Sequence, residues 1–205
     1  MIWIRFPRQA GGFRAPWPQG HGSLRRFLGL MALLASLCAG SGLRAEPVVP
    51  PSLTEDGTTF QRIGTKTFGW VSILKVYDVS LHFGAGQSPE RVFADIPIRL
   101  HRVYHRGFTA AEIVKGGDTL LARNVDAATL DSLRERLVRL NATYRDVKPG
   151  DSYTLTYVPG AGTTLRLNGS ARITVPGHDF AAAYFRIWLG DKPINESLRD
   201  ALLGR

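Results

Sequence analysis

The side chains able to do chemistry are scattered along this chain. His101 and His105 stand four residues apart. On a strand that spacing puts both on one face about 13 Å apart, too far to share a metal ion. On a helix it would suit zinc, but Pro97 and the β-rich surroundings argue against a helix. Glu112, Asp118 and Asp179 have no acidic partner at the spacing that general acid–base catalysis uses. Asp179 precedes Phe180 where a helical stretch begins, the position of a capping acid. No serine sits in a Gly-x-Ser-x-Gly elbow, and Gly160-Ala161-Gly162 lacks the longer pattern and following helix of a phosphate loop. Phe180, Tyr184, Phe185 and Trp188 form an aromatic face that could line a ligand, but its spacing is that of a helix packed on a sheet, and core is the better reading. These patterns supply no metal ligand set and imply no cofactor.

The elements that must carry these groups are legible in outline. Phe60 to Phe83 reads as strands, with a turn or bulge at 64–69 and a half-buried strand from Trp70. Pro97 to His105 reads as a further strand, its apolar Ile98, Leu100 and Val103 alternating imperfectly with polar residues, and Gly107 ends it. Thr109 followed by Glu112 has capping-box spacing and opens a helix that Gly116-Gly117 interrupts. Asp126 caps the clearest helix, where Leu130, Leu133, Leu137 and Leu140 recur on one face. After the turn 148–151, Tyr153 to Val158 and Thr163 to Asn168 read as a hairpin, and Ala171 to Val175 as a third strand. Two helices follow. The order predicts an α+β layout with helices segregated on one face of an antiparallel sheet.

The first 45 residues stand apart. They hold six arginines and no acid: five arginines lie before an apolar run from Phe27 to Ala39, and mostly small residues with Arg44 follow to Ala45. This is the order of a secretory signal peptide, and the run is shorter than the roughly 20 residues a membrane span needs. A periplasmic or secreted location follows as an expectation, with residues 1–45 as the signal, 46–59 as an extended leader containing Pro47, Pro50 and Pro51, and 60–205 as one domain. Six of the 26 Lys and Arg lie in the signal, which leaves 20 against 17 Asp and Glu, near +3. The remaining charges interleave, as in Asp131-Ser132-Leu133-Arg134-Glu135-Arg136, so no basic face for nucleic acid is expected. Loss of Cys38 leaves no cysteine for a disulfide, a nucleophile or a metal.

Ordered motifs then carry a resemblance. The run from Gly177 through Trp188-Leu189-Gly190, closed by Leu202-Leu203-Gly204, resembles the C-terminus of bacterial chalcone isomerase-like proteins. Lys75 to Leu81 is similar to their K-x-Y-x-x-x-L strand, Pro97 to Tyr104 to their P-x-x-L-x-x-x-Y strand, and 147–163 to their hairpin. The matches keep their order over most of residues 60–204.

The resemblance implies an open-faced β-sandwich, an antiparallel sheet under a helical layer with a cleft between them. Plant members close chalcones to flavanones in that cleft, and fatty-acid-binding members hold a carboxylate there against an Arg and a Tyr. Carried over, the plant polar set falls on Tyr77, near Lys66, near Ala110 and Gly117, and on Ile187. Lys66 keeps a charge without the bidentate fork of arginine. The expectation is therefore a non-catalytic binder of a small apolar or amphipathic, fatty-acid-like ligand, anchored by Tyr77 with Lys66 and covered by the Trp188 helix. The alternatives are an isomerase or intramolecular lyase with altered residues, and a partner-binding scaffold.

Overall fold

The computed structural model describes residues 50–70 and 74–205. The expected signal segment lies outside the described residues. Seven strands form one antiparallel sheet in sequence order: β1 (Ser52–Glu55), β2 (Thr58–Trp70), β3 (Leu74–Gly84), β4 (Ile98–Tyr104), β5 (Ser152–Val158), β6 (Gly162–Leu167) and β7 (Ser170–Val175). The helices α1 (Ala110–Leu121) and α2 (Ala127–Asn141) are inserted between β4 and β5. After β7 come α3 (His178–Tyr184), α4 (Arg186–Leu189) and α5 (Glu196–Leu202). Among the described residues no helix is long and apolar enough to cross a membrane.

Period-two alternation assigns the two faces of the sheet. Tyr77, Val79, Leu81 and Phe83 of β3 pair with Tyr104, Arg102, Leu100 and Ile98 of β4, and Tyr153, Leu155 and Tyr157 of β5 continue the row. This is the face under the helices. It closes on Leu121, Leu133, Leu137, Leu140, Phe180 and Trp188 in one buried cluster. The opposite face carries Ser80, His82, Arg99, His101, Thr154 and Arg166. The sheet curls until Glu55 at the end of β1 accepts from Arg99 of β4 at 2.9 Å, Thr156 of β5 at 2.7 Å and Arg166 of β6 at 3.2 Å.

Several expectations need correction. Ser52–Glu55, expected within an extended leader, is an edge strand paired with β2 through the two-residue turn Asp56-Gly57, and the curl then gives Glu55 three partners across the sheet. Of the turn or bulge expected at 64–69, the bulge is what forms: β2 runs through the stretch, with register shifts at Arg62/Gly64 and Phe68/Gly69. Gly64 is required there for a packing reason, since a Cβ would fall inside contact distance of the Ala201 and Leu202 carbonyl oxygens of α5. Gly116-Gly117 does not interrupt α1, which continues through both. The first C-terminal helix is in two pieces broken at Phe185. The caps at Thr109 and Asp126 form as read: Thr109 and Glu112 make a reciprocal capping box, and Asp126 accepts from the Thr129 backbone N–H at 2.7 Å.

Candidate functional site

A cavity of about 250 Å³ lies between the sheet and the helices α1 and α4. β4 delivers its central group. In the alternation of that strand Ile98, Leu100, Arg102 and Tyr104 share one phase, so an arginine occupies a position that the pattern reserves for an apolar side chain. Arg102 is 5% exposed, and its Nε and one terminal nitrogen are buried without a hydrogen-bond partner. Its guanidinium carbon stands 4.7 Å from the Trp188 ring centre and 5.9 Å from that of Tyr104. Cation–π contact of this kind is worth about 2 kcal/mol when desolvated, well short of the several kcal/mol that an uncompensated buried charge costs. Among the described residues no carboxylate pairs with it. Arginine tolerates this better than lysine because its delocalised cation is more weakly hydrated and remains charged.

Neutral hydrogen-bonding groups surround that cation. The Tyr77 hydroxyl and the Trp188 indole N–H are also buried; they lie near each other without a well-formed hydrogen bond, and neither has another partner. Tyr144 and Tyr184 meet hydroxyl to hydroxyl at 3.0 Å. Burial pushes the Tyr77 phenol up, partly opposed by the charge of Arg102. The same two influences leave Tyr104 at about 12. Burial and the neighbouring Tyr144 hydroxyl raise Tyr184 well above the ordinary phenol range. For Arg102 burial works against the charge, and the phenols around it, neutral at pH 7, supply no opposite charge; the guanidinium nevertheless keeps its proton. At neutral pH the closed end of the cavity is thus one fixed cation among protonated phenols, a set that donates hydrogen bonds to an anion. The remaining wall is apolar, with Phe68, Val76, Phe108, Ile113, Leu120 and Ile187. Exposed Arg106, Glu112 and Gly116 mark its open side.

The residues expected at the site separate. Tyr77 and Trp188 both line the cavity, and Trp188 is at once core and wall. Lys66 does not line it: its Nζ donates to the Ser197 carbonyl at 3.1 Å and hydroxyl at 2.5 Å, tying β2 to the start of α5. Ile187 and Gly117 line it and Ala110 does not. Sequence reasoning does not find Arg102, because it groups Val103 with Ile98 and Leu100 as the apolar positions, whereas Val103 lies in the other phase of the strand. The missed signal is the strict phase Ile98, Leu100, Arg102, Tyr104, an arginine among apolar positions.

Other polar groups have structural partners. His101 Nδ1 lies 2.8 Å from the Thr154 hydroxyl, and His105, beyond the end of β4, pairs with Asp78 at 2.9 Å. Gly177 holds the N-cap of α3, and Asp179 lies in the first turn, where it meets backbone N–H groups as expected of an acid there and also makes a two-pronged pair with Arg136 of α2 at 2.8 and 2.5 Å. Among the described residues no group of three or more His, Cys, Asp or Glu is placed to hold a metal ion.

Comparison with known proteins agrees with this architecture. The family profile described as chalcone isomerase-like matches residues 49–204. A search of curated protein sequences returned no match. Among solved structures, a fatty-acid binding protein of Arabidopsis thaliana superposes with a TM-score of 0.55 at 13% identity, over 74% of this chain and 95% of that one. At that identity the likeness concerns the fold.

Proposed function

The chain belongs to the chalcone isomerase-like family, and from that premise we propose that it binds an amphipathic carboxylate, fatty-acid-like in character, as an exported non-catalytic binder. One observation carries this reading: Arg102 is a buried cation facing a cavity with two unpartnered nitrogens and no acid against it. A carboxylate supplies the missing charge and accepts the forked N–H groups, while the apolar wall takes the chain. The Arabidopsis neighbour is named for binding fatty acids, which supports the same ligand class here. Export rests on the arginine-rich start and the Phe27 to Ala39 run.

The open cavity favours a binder over a scaffold, whose cleft would be filled. It also favours a binder over a chalcone-type isomerase, because Gly117 and Ile187 present no polar group where the resemblance puts the plant enzyme's orienting side chains.

Titration with a fluorescent fatty-acid probe tests the proposal. Wild type is expected to bind, Arg102→Met to lose binding by about 100-fold, and Tyr77→Phe to weaken it by about tenfold, as for a lost hydrogen bond to a charged group. Wild type that ignores the probe, or Arg102→Met that binds it equally, overturns the reading.

A further inference from the structure

The α1 face on the cavity reads Ile113, Gly116, Gly117, Leu120. Its middle pair lacks side chains where a core-facing helix would carry them. Glycine is the least favourable residue in a helix interior short of proline, so two in succession need a reason. Backbone geometry offers none, because neither has a positive φ. Packing offers none either. A Cβ at Gly116 would meet nothing within 4 Å, and one at Gly117 would meet only the Tyr184 hydroxyl at 3.7 Å, an ordinary contact. What the two glycines preserve is empty space on the cavity's edge. Gly116 lies on the exposed side, with Glu112 one turn before it, while the unpartnered and 95% buried Arg102 lies at the closed end.

We infer that Gly116-Gly117 is a notch in α1 through which the tail of a long, unbranched carboxylate leaves the cavity, its head held at Arg102. The inference rests on the carboxylate reading above and adds an orientation and a chain-length preference. The charge is buried at Arg102, and the tail runs past Ile113 and Leu120 to the notch. Chains too short to reach it do not sense residue 116.

Displacement of the fluorescent probe by octanoate and by palmitate, in wild type, Gly116→Ala and Gly116→Leu, provides the test. Wild type is expected to bind palmitate at least about tenfold more tightly than octanoate, since added buried methylenes raise affinity. Gly116→Leu should weaken palmitate by about tenfold and leave octanoate within about twofold. Gly116→Ala should raise Tm by about 2–4 °C, which establishes that the glycine is not there for stability. Gly116→Leu that binds both acids as wild type does, or that loses both alike, overturns the inference alone. A Tm that falls in Gly116→Ala also counts against it. Wild type that binds neither acid overturns the carboxylate reading and the notch with it.

Discussion

At the scale of the residue, Arg102 sets the character of the molecule. A buried cation with no acid against it costs stability, so under the proposed carboxylate binding function and stability pull in opposite directions at this position. Arg102→Met keeps most of the packing on Trp188 and removes the desolvated charge. Its unfolding free energy in urea is expected to equal or exceed that of wild type while carboxylate binding disappears. A loss of several kcal/mol on this substitution would mean that the guanidinium is paired in the free protein. The neighbouring phenols donate but do not take protons at neutral pH, since burial holds Tyr77, Tyr104 and Tyr184 above their ordinary range. With apolar Gly117 and Ile187 in the wall, naringenin chalcone should cyclise no faster with the protein than without it. Turnover above the spontaneous rate that vanishes in Tyr77→Phe would overturn this.

At the scale of the element, the α2 stripe sends three leucines into the core. Leu133 and Leu140 are 1% and 0% exposed, and Leu137 is 9% exposed, whereas Leu130 is only partly buried. Leu133→Ala should therefore destabilise by about 2–5 kcal/mol and Leu137→Ala by a similar or smaller amount. Values under about 0.5 kcal/mol would be those of surface sites. The Arg136–Asp179 pair joining α2 to α3 is the contrasting case. Asp179 has 60% of its side chain exposed, so this ion pair contributes at most about 1 kcal/mol, less in salt.

For the molecule as a whole, the face of the sheet away from the helices decides the response to acid. Burial, with the charge of Arg99, lowers both His82 and His101 to about 4 from an ordinary 6.5. Arg62 beside His82 and Arg102 beside His101 act in the same direction, and Glu55 opposes at His101. Below pH 6.5 the unfolded chain takes up protons that the folded protein refuses, so stability falls from there toward pH 4, by at most about 1.4 kcal/mol per pH unit for each histidine. Burial raises Glu55, but Thr156 and Arg99 hold it below its ordinary value on balance. Its contribution therefore survives this window and is lost only as pH falls through that lowered value. Urea unfolding at about pH 7, 5.5 and 4.5 reads the slope, and His82→Phe should reduce it. A pH-independent midpoint over this range would contradict the burial of the pair. A second whole-molecule expectation concerns export: cell fractionation with N-terminal sequencing should find a mature form beginning near Glu46, and an uncut cytosolic chain would refute it.

Local chemistry was enough to read part of this protein from its sequence. The caps at Thr109 and Asp126, the leucine stripe of α2 and the β5–β6 hairpin depend on residues within a few positions of one another, and period and capping report such relations directly. The ordered motifs likewise carried the family and its open-faced sheet. Tertiary structure decided the rest. Whether Val103 or Arg102 faces the helices turns on the phase of a seven-residue strand, and an arginine in the apolar phase looks like noise until a cavity is seen above it. Lys66 and Tyr77 sit on adjacent strands, yet only Tyr77 reaches the pocket, because Ser197 of α5, 131 residues away, holds the lysine. The edge strand β1 is paired with β2 through the two-residue turn Asp56-Gly57, and the curl of the sheet then brings Glu55 to residues of β4, β5 and β6 that no local pattern connects to it. Contacts across so many residues are set by packing, and packing has no period in the sequence.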